Sequence, residues 1–223
     1  MSIEGRRLFK GVIFDMDGVL IDSHPLHKKV WAKFLASLNR PATQEDLDFV
    51  LDGRKREEIL QHFLGELSSE QICDYGPRKD EIYWQFSTEL CTITGGEEFL
   101  GALAAEGIPM AVATSASSGR ARDTLAHLGI LSHFSALITG DDVIKGKPDP
   151  EIFVRAAEKL ELTPQNLLVV EDAVSGVRAA KSAGMKCLGI ATNGRTELLS
   201  EAGADRVVAD YREISLLDVQ QLF

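Results

Sequence analysis

Asp15 and Asp17 stand two residues apart in the run FDMDG, so in an extended segment both carboxylates project from the same side. Like charges that close are mutually destabilising unless a cation or a shared proton relieves them. Glu171 and Asp172 add further carboxylate, Lys147 adds one cation, and Thr114 and Ser115 add hydroxyls. A hard, oxygen-preferring ion such as Mg²⁺ would satisfy the excess of acid, and the resulting site suits a phosphate monoester. Singly, each residue has a plainer reading. Asp17-Gly18 is a common turn, Ser115 or Asp172 could cap a helix, and Lys147 could be a solvated loop charge.

What groups these residues is the element before each of them. Val12-Ile13-Phe14 is a short buried strand ended by Gly18, and beyond Gly95-Gly96 the pattern alternates. The periodicity predicts helix 97–106, strand 110–114, helix 119–128, strand 136–139, helix 150–161, strand 167–170, helix 173–183 and strand 187–190. Continuous apolar runs such as Leu167-Leu168-Val169-Val170 are those of parallel strands covered on both faces. The fold class is therefore α/β, a doubly wound parallel sheet. In such sheets function collects beyond the carboxyl ends of the strands, where Asp15, Ser115, Lys147 and Asp172 all fall. Asp149-Pro150-Glu151 marks a helix start, and Gly129 and Gly184 mark helix ends.

Between the first strand and Cys91 the pattern is helical. Trp31, Phe34, Leu35 and Leu38 share one face, Ile59, Leu60, Phe63 and Leu64 another, and Ile82, Tyr83, Phe86 and Leu90 mark a longer helix. So long a strand-free segment is too large for one crossover and reads as an inserted helical bundle, with Trp31 and Trp84 in its core.

The 223 residues are 44% hydrophobic and 26% charged, a globular composition. The net charge of −10 disfavours a polyanionic partner such as nucleic acid but not a small anion held in one pocket. Cys73, Cys91 and Cys187 are odd in number and far apart, which points to a reducing cytoplasm rather than a disulfide framework. The leading MSIEGRRLFKGVIF carries Glu4 and meets acid again at Asp15, too short an apolar run for a signal peptide. No stretch approaches the roughly 18 apolar residues of a membrane span.

FDMDGVLIDS (14–23), VATSAS (112–117), KGKPDPEIF (145–153) and VVEDAVSGVRAA (169–180) resemble, in order, the four motifs of the haloacid dehalogenase superfamily of phosphotransferases, over nearly the whole chain. The helical insertion resembles the cap of the β-phosphoglucomutase-like subfamily. The resemblance implies a core of residues 1–21 and 94–223 and a cap of residues 22–93. It makes Asp15 the nucleophile that becomes an aspartyl phosphate and Asp17 the general acid and base. It implies that Thr114, Ser115, Ala116 and Lys147 bind phosphate, and that Mg²⁺ is held at Asp15, Asp17 through its carbonyl, Asp172 and, in part, Glu171. His27, Gly53, Arg56 and Lys79 fall at positions similar to cap and hinge residues. Arg54-Lys55-Arg56 also reads as a solvated basic run, and His27 as a packing residue. His24, His62, His127 and His133 show no ligand spacing.

The expected activity is a Mg²⁺-dependent phosphatase acting on a small phosphorylated sugar or similar metabolite, by a chain that needs no second copy to cover its site. The rival is a hexose phosphate mutase of the same fold. In the mutases the segment after Ser115 continues with a lysine and an asparagine, whereas here Ser118 and Gly119 follow Ser117, with Arg120 next as a possible substitute cation. A receiver-like signalling module also pairs an aspartate with a hydroxyl and a lysine, but it has no use for a cap.

Overall fold

The computed structural model describes residues 9–192 and 194–223. The N-terminal reading that rested on Glu4 lies outside them. Six parallel strands form one sheet: β1 (Gly11–Phe14), β2 (Met110–Ala113), β3 (Ala136–Ile138), β4 (Leu167–Glu171), β5 (Lys186–Ile190) and β6 (Arg206–Val208), in the order β3-β2-β1-β4-β5-β6. Alternate side chains of β1 go to opposite layers. Val12 and Phe14 join one apolar cluster, and Ile13 joins the other with Ala111 and Val169. Every residue of β1, β2 and β4 is buried, as a sheet covered by helices on both faces requires.

The helices are α1 (His24–Ser37), α2 (Arg56–Leu64), α3 (Ser69–Trp84), α4 (Gly96–Ala105), α5 (Ser118–His127), α6 (Glu151–Leu160), α7 (Val174–Ser182), α8 (Thr196–Glu201) and α9 (Leu216–Gln220). Asp149 caps α6 by accepting the Glu151 N–H at 3.0 Å, and Gly129 and Gly184 take the positive φ that ends α5 and α7. The sequence pattern stopped at Ile190 and missed β6, whose three residues are too few to show a period.

The helical insert builds a cluster of its own from Trp31, Phe34, Leu35, Leu47, Ile59 and Leu60. Helix α1 joins it to the rest, since Leu26 and Val30 pack into the core cluster while Trp31, Phe34 and Leu35 pack into the insert. Helix α3 opens on a reciprocal cap between Ser68 and Gln71. It ends at Trp84, short of the expected Leu90. The chain must turn back there, because Leu90 and Ile93 are buried in the core cluster and Thr92 bridges to Ile21. Trp84, expected in the insert's interior, packs half-buried against the core cluster instead.

Candidate active site

Register brings the first carboxylates together. Phe14 lies level with Val112 on one side and Val170 on the other, so Asp15, Thr114 and Glu171-Asp172 leave the sheet at one edge. Lys147 reaches the same point from the loop after β3 and is 1% exposed. Its Nζ donates to Asp15 Oδ1 at 2.5 Å and to Glu171 Oε1 at 2.6 Å. Those two carboxylates hold the ammonium charged against burial, well above the ordinary lysine range. Burial pushes the Asp15 carboxyl up. Lys147 opposes this, and the charges of Glu171 and Asp172 add to it.

Both Glu171 oxygens are engaged within the protein. Its second oxygen accepts the N–H groups of Asp172 (2.8 Å) and Ala173 (2.9 Å), so it fixes Lys147 and the loop that carries Asp172. Only glycine fits at 176, because a Cβ there would lie 1.8 Å from Glu171 Oε1. Asp172 Oδ2 meets His24 Nε2 at 2.8 Å. Burial raises the Asp172 carboxyl, partly offset by that histidine.

Asp17 lines the same cleft with a different set of partners. Its Oδ1 accepts from Ser23 Oγ at 2.8 Å and His27 Nε2 at 2.8 Å, and the Arg120 guanidinium grips both oxygens at 3.2 and 2.7 Å. Burial alone would raise this carboxyl, but Arg120 and then His27 hold it well below the usual carboxylate range. Burial depresses His27 to about 4 against the pull of Asp17. His27 Nε2 is the donor in this bond, because an ionised carboxylate can only accept.

Among the described residues no three His, Cys, Asp or Glu side chains converge as a metal cluster. Of the four expected ligands, Asp17 and Glu171 have their carboxylates committed elsewhere. The Asp15 and Asp172 carboxylates with the Asp17 main-chain carbonyl remain, an all-oxygen set. With Glu171 they surround one lysine and leave the buried group short of positive charge, which fits a hard divalent ion.

The segment 51–55, turning at Gly53 with φ +67°, lies against this edge. Ser115 Oγ donates to Gly53 O at 2.6 Å, Ser175 Oγ to Asp52 O, Lys55 Nζ to Val143 O at 2.9 Å and Arg195 Nη1 to Leu51 O at 3.3 Å. The space at this edge is about 70 Å³, small beside the roughly 300–1,000 Å³ of metabolite clefts. Its roof carries Arg56, Lys79 and Asp80. Gly76 makes room for the Arg56 guanidinium, whose Cζ would lie 2.6 Å from a Cβ there. Main-chain N–H groups at the start of α5 are partly committed, since Ser118 N donates to Asp141 and Ala116 N to Thr114 Oγ1.

The profile of the haloacid dehalogenase-like hydrolases matches residues 12–190. The chain belongs to that family. A phosphorylated carbohydrates phosphatase of Thermotoga maritima is 35% identical over 79% of this chain and 82% of its own length. The β-phosphoglucomutase of Bacillus subtilis is 32% identical over 93% of this chain and 92% of its own. Among solved structures, a β-phosphoglucomutase from Clostridium difficile superposes with a TM-score of 0.86 at 27% identity, covering 96% of each chain. As a haloacid dehalogenase-like hydrolase, the chain is an enzyme with the six-stranded α/β core of that family.

The expected residues Asp15, Asp17, His27, Gly53, Arg56, Lys79, Thr114, Ser115, Ala116 and Asp172 all line this one cleft, with Lys147 and Glu171 bonded beneath Asp15. Sequence reasoning passed over His24, which had shown no ligand spacing yet meets Asp172, and Asp80. It mentioned Arg120 only as a substitute cation, whereas that side chain is bound to Asp17. An arginine 8% exposed on a helix facing the motifs is a signal only once the fold is known.

Proposed function

We propose that this enzyme is a Mg²⁺-dependent phosphatase for a small sugar phosphate, working through an aspartyl phosphate on Asp15. One observation carries the reading: Asp15, bound to Lys147, and Asp17, bound to His27 and Arg120, line one cleft with separate sets of partners. A nucleophile and a proton carrier are thus kept apart in different electrostatic settings, as two carboxylates with two roles need.

Asp15 Oδ attacks phosphorus, the bond from phosphorus to the ester oxygen breaks, and Asp17 delivers a proton to the departing alkoxide. In the second half-reaction Asp17 takes a proton from water as its oxygen attacks phosphorus, releasing inorganic phosphate and restoring Asp15. The Arg120-bound carboxylate suits this second step. The first needs one Asp17 oxygen protonated and free, so Arg120 must release that oxygen as the substrate enters. Asp15, Asp172 and the Asp17 carbonyl would hold Mg²⁺, which supplies charge neutralisation between nucleophile and phosphate. Ser115 would turn its hydroxyl from Gly53 to the phosphoryl oxygens, and Lys147 keeps Asp15 in line.

The 32% identity to a β-phosphoglucomutase keeps the mutase as the second reading. Against it stand Ser118 and Gly119 in place of a phosphate-gripping lysine and asparagine. The test is β-glucose 1-phosphate with a trace of glucose 1,6-bisphosphate, followed by phosphate release and by a coupled glucose 6-phosphate dehydrogenase assay, with Mg²⁺ and after EDTA. Phosphate release that EDTA abolishes is expected. Efficient isomerisation without net phosphate release would overturn the phosphatase in favour of the mutase.

A further inference from the structure

Three cations reach the cap side of the cleft: Arg56 from α2, Lys79 from α3 and Arg120 from α5. Left unanswered they would form a seat for a second phosphate. Each is answered within the cleft. Arg120 is held by Asp17, Arg56 meets Glu57 at 3.7 Å, and Asp80 serves both Arg56 and Lys79. Asp80 Oδ2 meets Arg56 Nη1 at 3.3 Å, and Asp80 Oδ1 meets Lys79 Nζ at 3.0 Å. Ser117 Oγ donates to the same Oδ2 at 3.4 Å. Arg54, also lining the cleft, is taken by Asp52 and Glu58 at 3.1 and 3.5 Å.

We propose that Asp80 is a specificity-determining residue: it makes the cleft accept a phosphomonoester with an uncharged, polyhydroxylated leaving group and reject one bearing a second phosphate. The proposal rests on the reading above, in which the reacting phosphate meets Asp15 and the leaving group lies under the cap. Hydroxyls both donate and accept, so neighbouring hydroxyls can accept from Arg56 or Lys79 and donate to Asp80. A phosphate offers acceptors and negative charge, and it would meet a fixed carboxylate where water screens little. Repulsion built against the wrong ligand is an effective source of specificity. The Asp80 side chain is 19% exposed, and after burial is counted Lys79 and then Arg120 and Arg56 still hold its carboxyl below the usual range, so the charge is present at neutral pH.

The experiment compares two ligands that differ by one phosphate. Glucose 6-phosphate and glucose 1,6-bisphosphate are tested as competitors of p-nitrophenyl phosphate hydrolysis by the full chain with Mg²⁺. The bisphosphate is expected to compete at least tenfold more weakly. Asp80→Asn, which keeps the size and removes the charge, is expected to shift the ratio of inhibition constants at least tenfold toward the bisphosphate, while Asp80→Glu retains the original preference. Equal or tighter inhibition by the bisphosphate in the wild type, or an unchanged ratio in Asp80→Asn, overturns the proposal. If p-nitrophenyl phosphate is not turned over, the phosphatase reading fails separately, and calorimetric titration of the same two ligands reads the same ratio.

Discussion

Replacing Lys79 with methionine is expected to make the protein more stable. Lys79 is 4% exposed, its Nζ sits 5.8 Å from the Trp31 ring and 5.4 Å from the Tyr83 ring, and its one ion-pair partner, Asp80, is shared with Arg56. Burial, with repulsion from Arg120, lowers its pKa from 10.5 to about 8. At 1.36 kcal/mol per unit the charged ammonium costs the folded state on the order of 3 kcal/mol. The sign follows from linkage: between pH 8 and 10.5 the unfolded chain binds more protons than the folded one, so stability rises with pH across that window. Below pH 8 both states are protonated and the cost stands in full. Lys79→Met removes it and places a polarizable side chain between the two rings, leaving Asp80 with Arg56 and Ser117. For a chain of this length about 3 kcal/mol corresponds to roughly 6–12 °C in Tm. Urea unfolding of both proteins at pH 7.5 and pH 10.5 measures the difference. A variant no more stable than wild type at pH 7.5, or an advantage that persists undiminished at pH 10.5, refutes the reasoning.

Asp15→Asn is expected to abolish turnover while leaving Tm within a few degrees, and near-wild-type hydrolysis by the purified variant removes Asp15 from the nucleophile role. Asp17→Asn is expected to lose glucose 6-phosphate hydrolysis yet still accept phosphate from acetyl phosphate, whose leaving group needs no proton; equal loss on both substrates contradicts an acid-base role. Arg120→Ala leaves Asp17 partly buried without its bidentate partner, and it is expected to lower kcat by about 10- to 100-fold, the scale of a charged hydrogen-bond pair. p-Nitrophenyl phosphate should suffer at least as much as alkyl phosphates, because the Arg120-bound carboxylate serves water attack on the aspartyl phosphate common to both, with partial rescue in Arg120→Lys. A change confined to KM would show that Arg120 only binds substrate.

The parts legible in the sequence are those where local pattern and global position agree. Val12-Ile13-Phe14 and Leu167–Val170 are wholly buried and so read as unbroken apolar runs, and the residues after them were findable as strand ends. The cap roof was legible only as charge. Arg54-Lys55-Arg56 looks solvated in the sequence, and only the notch at Gly76 turns Arg56 into the cleft. Arg120 and Asp17 are 103 residues apart, and His24 meets Asp172 through the close approach that Gly18 permits. No periodicity encodes pairs of that kind. The missed end of α3 has the same origin: Phe86 and Leu90 keep helical spacing while the core, not the helix, decides where they go.

Three of the four bonds that tie segment 51–55 to the core end on main-chain carbonyls of the insert, those of Leu51, Asp52 and Gly53. Attachment there depends on the path of the backbone and on hydroxyl and guanidinium donors from the core, not on the side chains at 51 and 52. The neighbouring roof positions, 56, 79 and 80, belong to helices and contribute side chains alone. Point replacement in the roof can therefore change the side chains facing the cleft, one residue at a time, without altering the main-chain bonds that tie segment 51–55 to the core. One scaffold can diversify over many leaving groups in this way, provided position 53 keeps a residue able to hold φ at +67°.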